Sequence, residues 1–298
     1  MTTLLDNPFM LHLVWRGLIL PGLATLAAGL ILLVLAGRTQ NRGGGSFWAL
    51  PLLAGLLTGY FSVYRDWTPW PHTVLGWLPA LAVTTAVLAS WTAYRRERRF
   101  GWLVVAVLVA AASSAMLDPM LSHGVTLSVL GELAWVAVLW WLLWMGWAGG
   151  HGDQRSVAAT QIVLATGLAA VGPLSQSILL GQLAMVFGAS WAVVITLSWL
   201  FRADTPLAAP VADLGALVLG VLYIELWYYD AAPWRVVLTL LAAAAIGVAA
   251  HRLYQRRVST SAARALNGLI IPAVATALPL LVGVYFAWQT YTASSGGY

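Results

Sequence analysis

Two acidic side chains, Glu132 and Glu225, stand inside long apolar stretches of this chain. A charge at the centre of a bilayer costs about 2.5–3.5 kcal/mol on insertion scales, so each needs a partner or a task. A carboxylate in that position can hold a proton or a cation, or pair with a guanidinium. Asp66, Asp118, His123 and Arg65 fall toward the same face as these two, together with His72, Asp230, Arg16 and Arg235. We therefore expect an outward-facing polar cavity built from Glu132, Glu225, Asp118, Asp66, His123 and Arg65. Structural hydrogen bonding to a neighbouring helix is the competing reading. It is the stronger one for Glu225, which lies close enough to a span end to reach lipid headgroups.

A second feature is the run Gly172-Pro-Leu-Ser-Gln-Ser-Ile-Leu-Leu-Gly-Gln182. Pro173 removes a backbone donor, Gly172 loosens the preceding turn, and Gln176 and Gln182, with Ser175 and Ser177, can re-satisfy freed backbone groups or face a solute. The apolar stretch from Val157 to Leu200 is too long for one crossing, so we expect a tight hairpin here. Gly55 and Gly59 share a helix face at four-residue spacing, as do Ala216 and Gly220. Small residues so spaced let a neighbouring backbone come close, and packing within the chain is the expected use rather than a dimer interface.

Other chemistries find little support. The chain has no cysteine, which excludes disulfides, thiolate metal sites, iron–sulfur clusters and cysteine nucleophiles. His12, His72, His123, His151 and His251 all read as span-boundary residues. A b-type haem needs axial histidines within facing helices, so haem is not expected, and neither is any other cofactor or resident metal. No phosphate loop, His-Glu-x-x-His or nucleophile elbow occurs.

The elements that must position these residues are membrane helices. Of 298 residues 61% are hydrophobic and 8% charged, against about 25% charged in soluble domains. A soluble fold of this composition would have no exterior to show to water. At about 20 residues per crossing, the apolar runs divide into spans near 14–36, 47–64, 73–94, 101–117, 125–147, 157–171, 176–200, 209–228, 234–253 and 266–288. The expected fold is thus an all-α polytopic transmembrane bundle of about ten spans. It forms a single membrane domain over residues 1–292, with a flexible tail at 293–298. The first span keeps its place in the mature chain, because Asp6 and a long apolar core are not those of a cleaved signal.

Every basic residue is arginine, and the net charge is +5. Arg38, Arg42, Arg95, Arg96, Arg98, Arg99, Arg155, Arg202, Arg252, Arg256, Arg257 and Arg264 follow odd-numbered spans; only Arg16, Arg65 and Arg235 fall on the other side. By the positive-inside rule this puts both termini on the outer, periplasmic side of a bacterial inner membrane. The arginines orient the chain and are no nucleic-acid footprint. Trp67, Trp70, Trp77, Trp227 and Trp234 mark the outer interface, and Trp48, Trp91, Trp147 and Trp199 the inner one. The stretch from Leu53 to Tyr60 and on to Tyr94-Arg95-Arg96 resembles that from Leu217 to Tyr223 and on to Tyr254-Gln255-Arg256-Arg257, which suggests a weak parallel repeat of spans 1–4 onto 7–10.

In size and span count the chain is similar to small ten-helix permeases of the drug/metabolite transporter superfamily. That resemblance covers architecture alone. It implies cytoplasmic termini and an inverted repeat, whereas the arginines give outer termini and the sequence a parallel one. Polar residues are sparse at mid-membrane and loops are short. The expected role is a non-catalytic membrane-embedded subunit that meets other membrane subunits or copies of itself. The alternative is a permease for a small molecule, ion or lipid that uses the acidic cavity.

Overall fold

The computed structural model of this chain describes residues 8–38, 48–65, 67–68, 71, 73–95, 127–140, 155–200, 209–230, 232–257 and 263–295. All regular structure among them is helical: α1 (Pro8–Val14), α2 (Leu20–Arg38), α3 (Ala49–Val63), α4 (Leu78–Arg95), α5 (Leu127–Trp140), α6 (Arg155–Leu174), α7 (Ile178–Leu200), α8 (Ala209–Ile224), α9 (Trp234–Arg257) and α10 (Ala263–Ser295). Short π-helical segments at Trp15–Ile19 and Glu225–Tyr229 join α1 to α2 and prolong α8. Leucine and alanine favour helix intrinsically, and in lipid only a helix satisfies its own backbone within one segment.

Six helical stretches are long and apolar enough to cross a membrane: Leu11–Leu35, Ser156–Leu174, Ile178–Leu200, Val211–Tyr229, Trp234–Leu253 and Ile270–Ser294. Ala49–Val63 and Leu75–Trp91 are apolar but shorter. These eight coincide with expected spans 1–3 and 6–10. Expected span 4 lies outside the described residues, and of span 5 only Leu127–Trp140 is described. Among the described residues the structure therefore shows a helical membrane bundle with six candidate crossings; the count of ten is not confirmed.

Helices joined by a short reversal run antiparallel, while α2 lies parallel to α7 and α6 parallel to α10, which gives the bundle two distinct ends. Gly29 packs on Leu197 and Pro51, while about two turns away Gly59 packs on Val186 and Pro21. Gly172 abuts Gly181, Gly167 faces Leu280, and Tyr223 donates to the carbonyl of Leu240 at 3.1 Å. One end thus gathers the chain reversals after α3, α6 and α8; we refer to it as the turn end. The other, the arginine end, holds the helix termini at Arg38, Arg95, Arg155 and Arg257.

The small-residue pairs are spent inside the chain. A Cβ at Gly55 would meet the Thr25 and Ser190 hydroxyls and the Pro21 carbonyl, so α3 lies almost backbone to backbone on α2, with α7 beside both. Ala216 is buried, and Gly220 receives the ring of Trp140 from α5. The two pairs meet unlike neighbours, so the packing around them does not repeat. Trp191, Tyr60, Tyr223 and Phe187 fill the interior. The outer faces of α2 and α10 present Leu23, Ile31, Val34, Val274, Leu278 and Leu281, the side chains that lipid would cover. Trp91, Trp199 and Trp234 are exposed near helix ends as an interfacial belt requires, but Trp48 is 3% exposed and belongs to the core.

Candidate functional site

Buried hydroxyls such as Thr25 and Ser190 lie mid-helix, and of the two ends of the described bundle only the turn end contains residues singled out from sequence for chemistry. There α6 closes on Pro173 in its last turn. The chain then reverses: the Ser175 amide bonds to the Val171 carbonyl at 2.9 Å and the Ser177 amide to the Gly172 carbonyl at 2.8 Å. Gln176 takes a left-handed φ of 66°, the conformation that lets so short a reversal close. The reversal depends on Gly172, since a Cβ there would lie 2.6 Å from the Gly181 amide nitrogen. Gln182 sits half-buried one turn into α7.

A second reversal stands beside it. The last turn of α8 widens to π geometry over Glu225–Tyr229, and the Asp230 amide bonds back to the Glu225 carbonyl at 3.1 Å. One extra residue per turn re-aims the side chains that follow, which is why such segments recur at functional positions. The Ser177 side chain lies close enough to the Asp230 carboxylate to favour its charged form. Glu225 couples electrostatically to Asp230. One oxygen of each carboxylate, Glu225 Oε2 and Asp230 Oδ2, is shut off from solvent and has no hydrogen-bond partner among the described residues. Burial raises the Asp230 pKa above its usual value, and the Ser177 hydroxyl pulls in the opposite direction.

Of the residues expected to form an outward cavity, the structure places Glu225 in this junction and Arg65 exposed after α3. Asp66, Asp118 and His123 lie outside the described residues. Glu132 lies on α5, but its side chain is outside the description. Arg16 falls in the first π-helical segment, where its carbonyl accepts a bond from Ser62 Oγ at 3.3 Å. Among the described residues no group of three or more His, Asp or Glu is placed to hold a metal ion.

Beside the junction, Trp135, Val136 and Leu139 of α5 face Tyr223, Ile224, Trp227 and Tyr228 of the α8 end and Val237 and Leu241 of α9 across a crevice of about 30 Å³. Its lining is almost wholly apolar, with Trp135 and Trp227 at 6.5 Å between ring centroids. Ligand pockets for drug-sized molecules occupy about 300–1,000 Å³, so this crevice is a packing seam rather than a solute site.

Sequence reasoning missed the polar seam at the arginine end. His251, expected at the interface, is 1% exposed; its Nδ1 lies 2.5 Å from Ser156 Oγ, which ties α9 to α6. One turn deeper, a Cβ at Gly247 would touch Thr160 and Thr276, and Gln161 donates to the Ala212 carbonyl of α8 at 3.0 Å. The signal was present in the spacing. Ser156 and Thr160 on one helix, and Gly247 and His251 on the other, are both four-residue pairs of the kind that bring membrane helices into contact.

Comparison of the chain with protein-family models, with curated proteins and with solved structures finds no match. The chain is a helical membrane protein with a neutral polar seam at one end and an acidic junction at the other, each holding enclosed polar atoms without a hydrogen-bond partner among the described residues.

Proposed function

We propose that the chain is a non-catalytic subunit embedded in the bacterial inner membrane, crossing it about ten times and docking against other membrane subunits. The observation that carries this reading is how the interior polar groups are used. Ser156, His251, Gln161 and Tyr223 each make a helix–helix bond, and Thr25, Thr160, Ser190 and Thr276 bond to carbonyls of their own helices, although Gln161 Oε1, His251 Nε2, Tyr60 Oη and Thr85 Oγ1 are enclosed without a partner among the described residues. The one crevice described above is small and apolar. A solute pathway normally places exchangeable polar groups around space at the bilayer midplane. Purification in mild detergent tests the proposal. Co-elution with defined membrane partners in fixed proportion supports it; a chain that elutes alone from its native membrane contradicts it.

A permease with an acidic site is the second reading, and the two unpartnered carboxylate oxygens of Glu225 and Asp230 favour it. It predicts that cations raise the thermal stability of the purified chain by mass action, and that Glu225→Gln abolishes the rise.

A further inference from the structure

We propose that the arginine end of α6, α9 and α10 is a binding site for an anionic phospholipid, its phosphate held by arginines of all three helices and its acyl chains lying on exposed aliphatic stripes of α9 and α10. On α9, Leu238, Ile246 and Leu253 are exposed and recur on one helix face, and that face runs on to Arg256 and Arg257 in the last turn. On α10, Ile271, Val274 and Leu278 are exposed, and Arg264 stands seven residues before Ile271 on the same face. The other ends of these two helices finish differently, in the exposed rings of Trp234 on α9 and of Trp288 and Tyr291 on α10, with Arg235 their one arginine there. Each helix thus offers lipid an aliphatic surface that ends in guanidinium at one side only.

The bundle brings the arginines of separate helices together. The Ser156–His251 bond ties the first turn of α6 to α9, so that Arg155 and Arg252, the chain neighbours of the bonded pair, stand at one level. Thr160 and Thr276 both meet Gly247 one turn deeper, which fixes α10 against the other two. Counted from that contact at the helical rise, Arg155 and Arg252 stand about 7 Å out, Arg256 and Arg257 about 14 Å and Arg264 about 18 Å. Asp and Glu are absent from all three helices. Among the described residues the one carboxylate at this end is Asp213, half-buried on α8 near the level of Gln161, about 9 Å deeper than Arg155. Orienting the chain needs arginine on one side of the membrane, not arginine gathered on three neighbouring helices. Guanidinium groups so gathered repel one another, and a phosphate among them removes that repulsion while accepting paired N–H···O bonds. The stripes decide the source of the phosphate: a free anion gains nothing from Ile246 and Leu253, whereas a lipid covers them as its headgroup reaches the arginines. The site requires neither partner subunits nor transport, so its test is independent of both functional readings.

The full-length chain, stripped of lipid in mild detergent, is titrated with phosphatidylglycerol, with phosphatidylcholine or with inorganic phosphate, and read by its unfolding midpoint and by native mass spectrometry. Phosphatidylglycerol should raise the midpoint saturably and stay bound as a counted adduct, and the other two should do neither. Arg252→Gln combined with Arg256→Gln should weaken phosphatidylglycerol binding about fivefold per arginine removed, the worth of one basic residue beside an anionic surface. Arg252→Lys combined with Arg256→Lys keeps the orienting charge, so it folds where the neutral pair does not, and should still bind more weakly because the paired bonds are lost. Arg38→Gln combined with Arg95→Gln removes as much charge from the same end, on α2 and α4, and should leave the affinity unchanged. An equal response to phosphatidylcholine or to inorganic phosphate overturns the proposal, as does parental affinity in the α9 variants. Equal loss in the α2 and α4 pair also overturns it, because the effect would then be one of diffuse charge.

Discussion

The two ends of the bundle are built from different kinds of polar residue. At the arginine end the seam pairs neutral groups between helices, Ser156 against His251, Gln161 against the Ala212 carbonyl, Gly247 closed over Thr160 and Thr276, with Gln161 Oε1 and His251 Nε2 enclosed without a hydrogen-bond partner among the described residues and Asp213 next to Ala212. At the turn end the polar groups are acidic, sit on irregular backbone, and keep enclosed oxygens without donors. The first arrangement gains stability from each bond, since an unmade bond in lipid has no water to replace it. The second keeps groups whose charge state decides whether the region is comfortable. One end fixes the fold; the other leaves it adjustable.

If that contrast is right, truncation at the arginine end should do the most harm. Gln161→Ala removes the bond to Ala212 and opens a void beside Gly215, whose Cα lies against the Gln161 amide. Lost packing and a lost buried bond together should cost about 2–3 kcal/mol, read as a fall in the midpoint of unfolding in detergent micelles. Next comes the Ser156–His251 bond. A double-mutant cycle with Ser156→Ala and His251→Leu should give a coupling of about 0.6–1.7 kcal/mol, the range found for bonds between membrane helices. A coupling near zero would reduce the seam to ordinary packing.

Much of this architecture is written in the sequence, and the gaps have physical causes. Long runs of leucine and alanine bounded by arginine mark crossings because lipid tolerates no other composition. Gly172-Pro173 marks a reversal because one span cannot stretch from Val157 to Leu200. The roles of Gly55 and Gly59 follow from spacing, yet which helix they meet does not, because small-residue faces look alike. Tertiary contact is what sequence hides. Ser177 and Asp230 belong to different hairpins, and each alone reads as an unremarkable turn residue. From its place near a span end His251 reads as an interface residue, but α9 runs on to Arg257 and carries that position inside the bundle. Crossings are also harder to count than to detect, since α3 spans 15 residues and the described part of α5 only 14, both short of a full bilayer.

The smallest effect is the most diagnostic, because its sign is opposite to that at the other end. Burial raises the pKa of Asp230, so the folded chain favours the protonated form more than the unfolded chain does. The stability tied to this group is therefore fully present below the ordinary carboxylate pKa and is lost as pH rises through the raised folded value. Asp230→Asn keeps the shape and removes the titration. It should raise stability above that pH by a few tenths of a kcal/mol, a size limited by solvent screening at a half-exposed position, and should flatten the fall in unfolding midpoint between about pH 4 and about pH 8. Neutralising a carboxylate would then stabilise the turn end while truncating a neutral amide destabilises the arginine end. Should Asp230→Asn instead lower the midpoint as Gln161→Ala does, both ends would be built on the same principle and the turn end would have no adjustable charge.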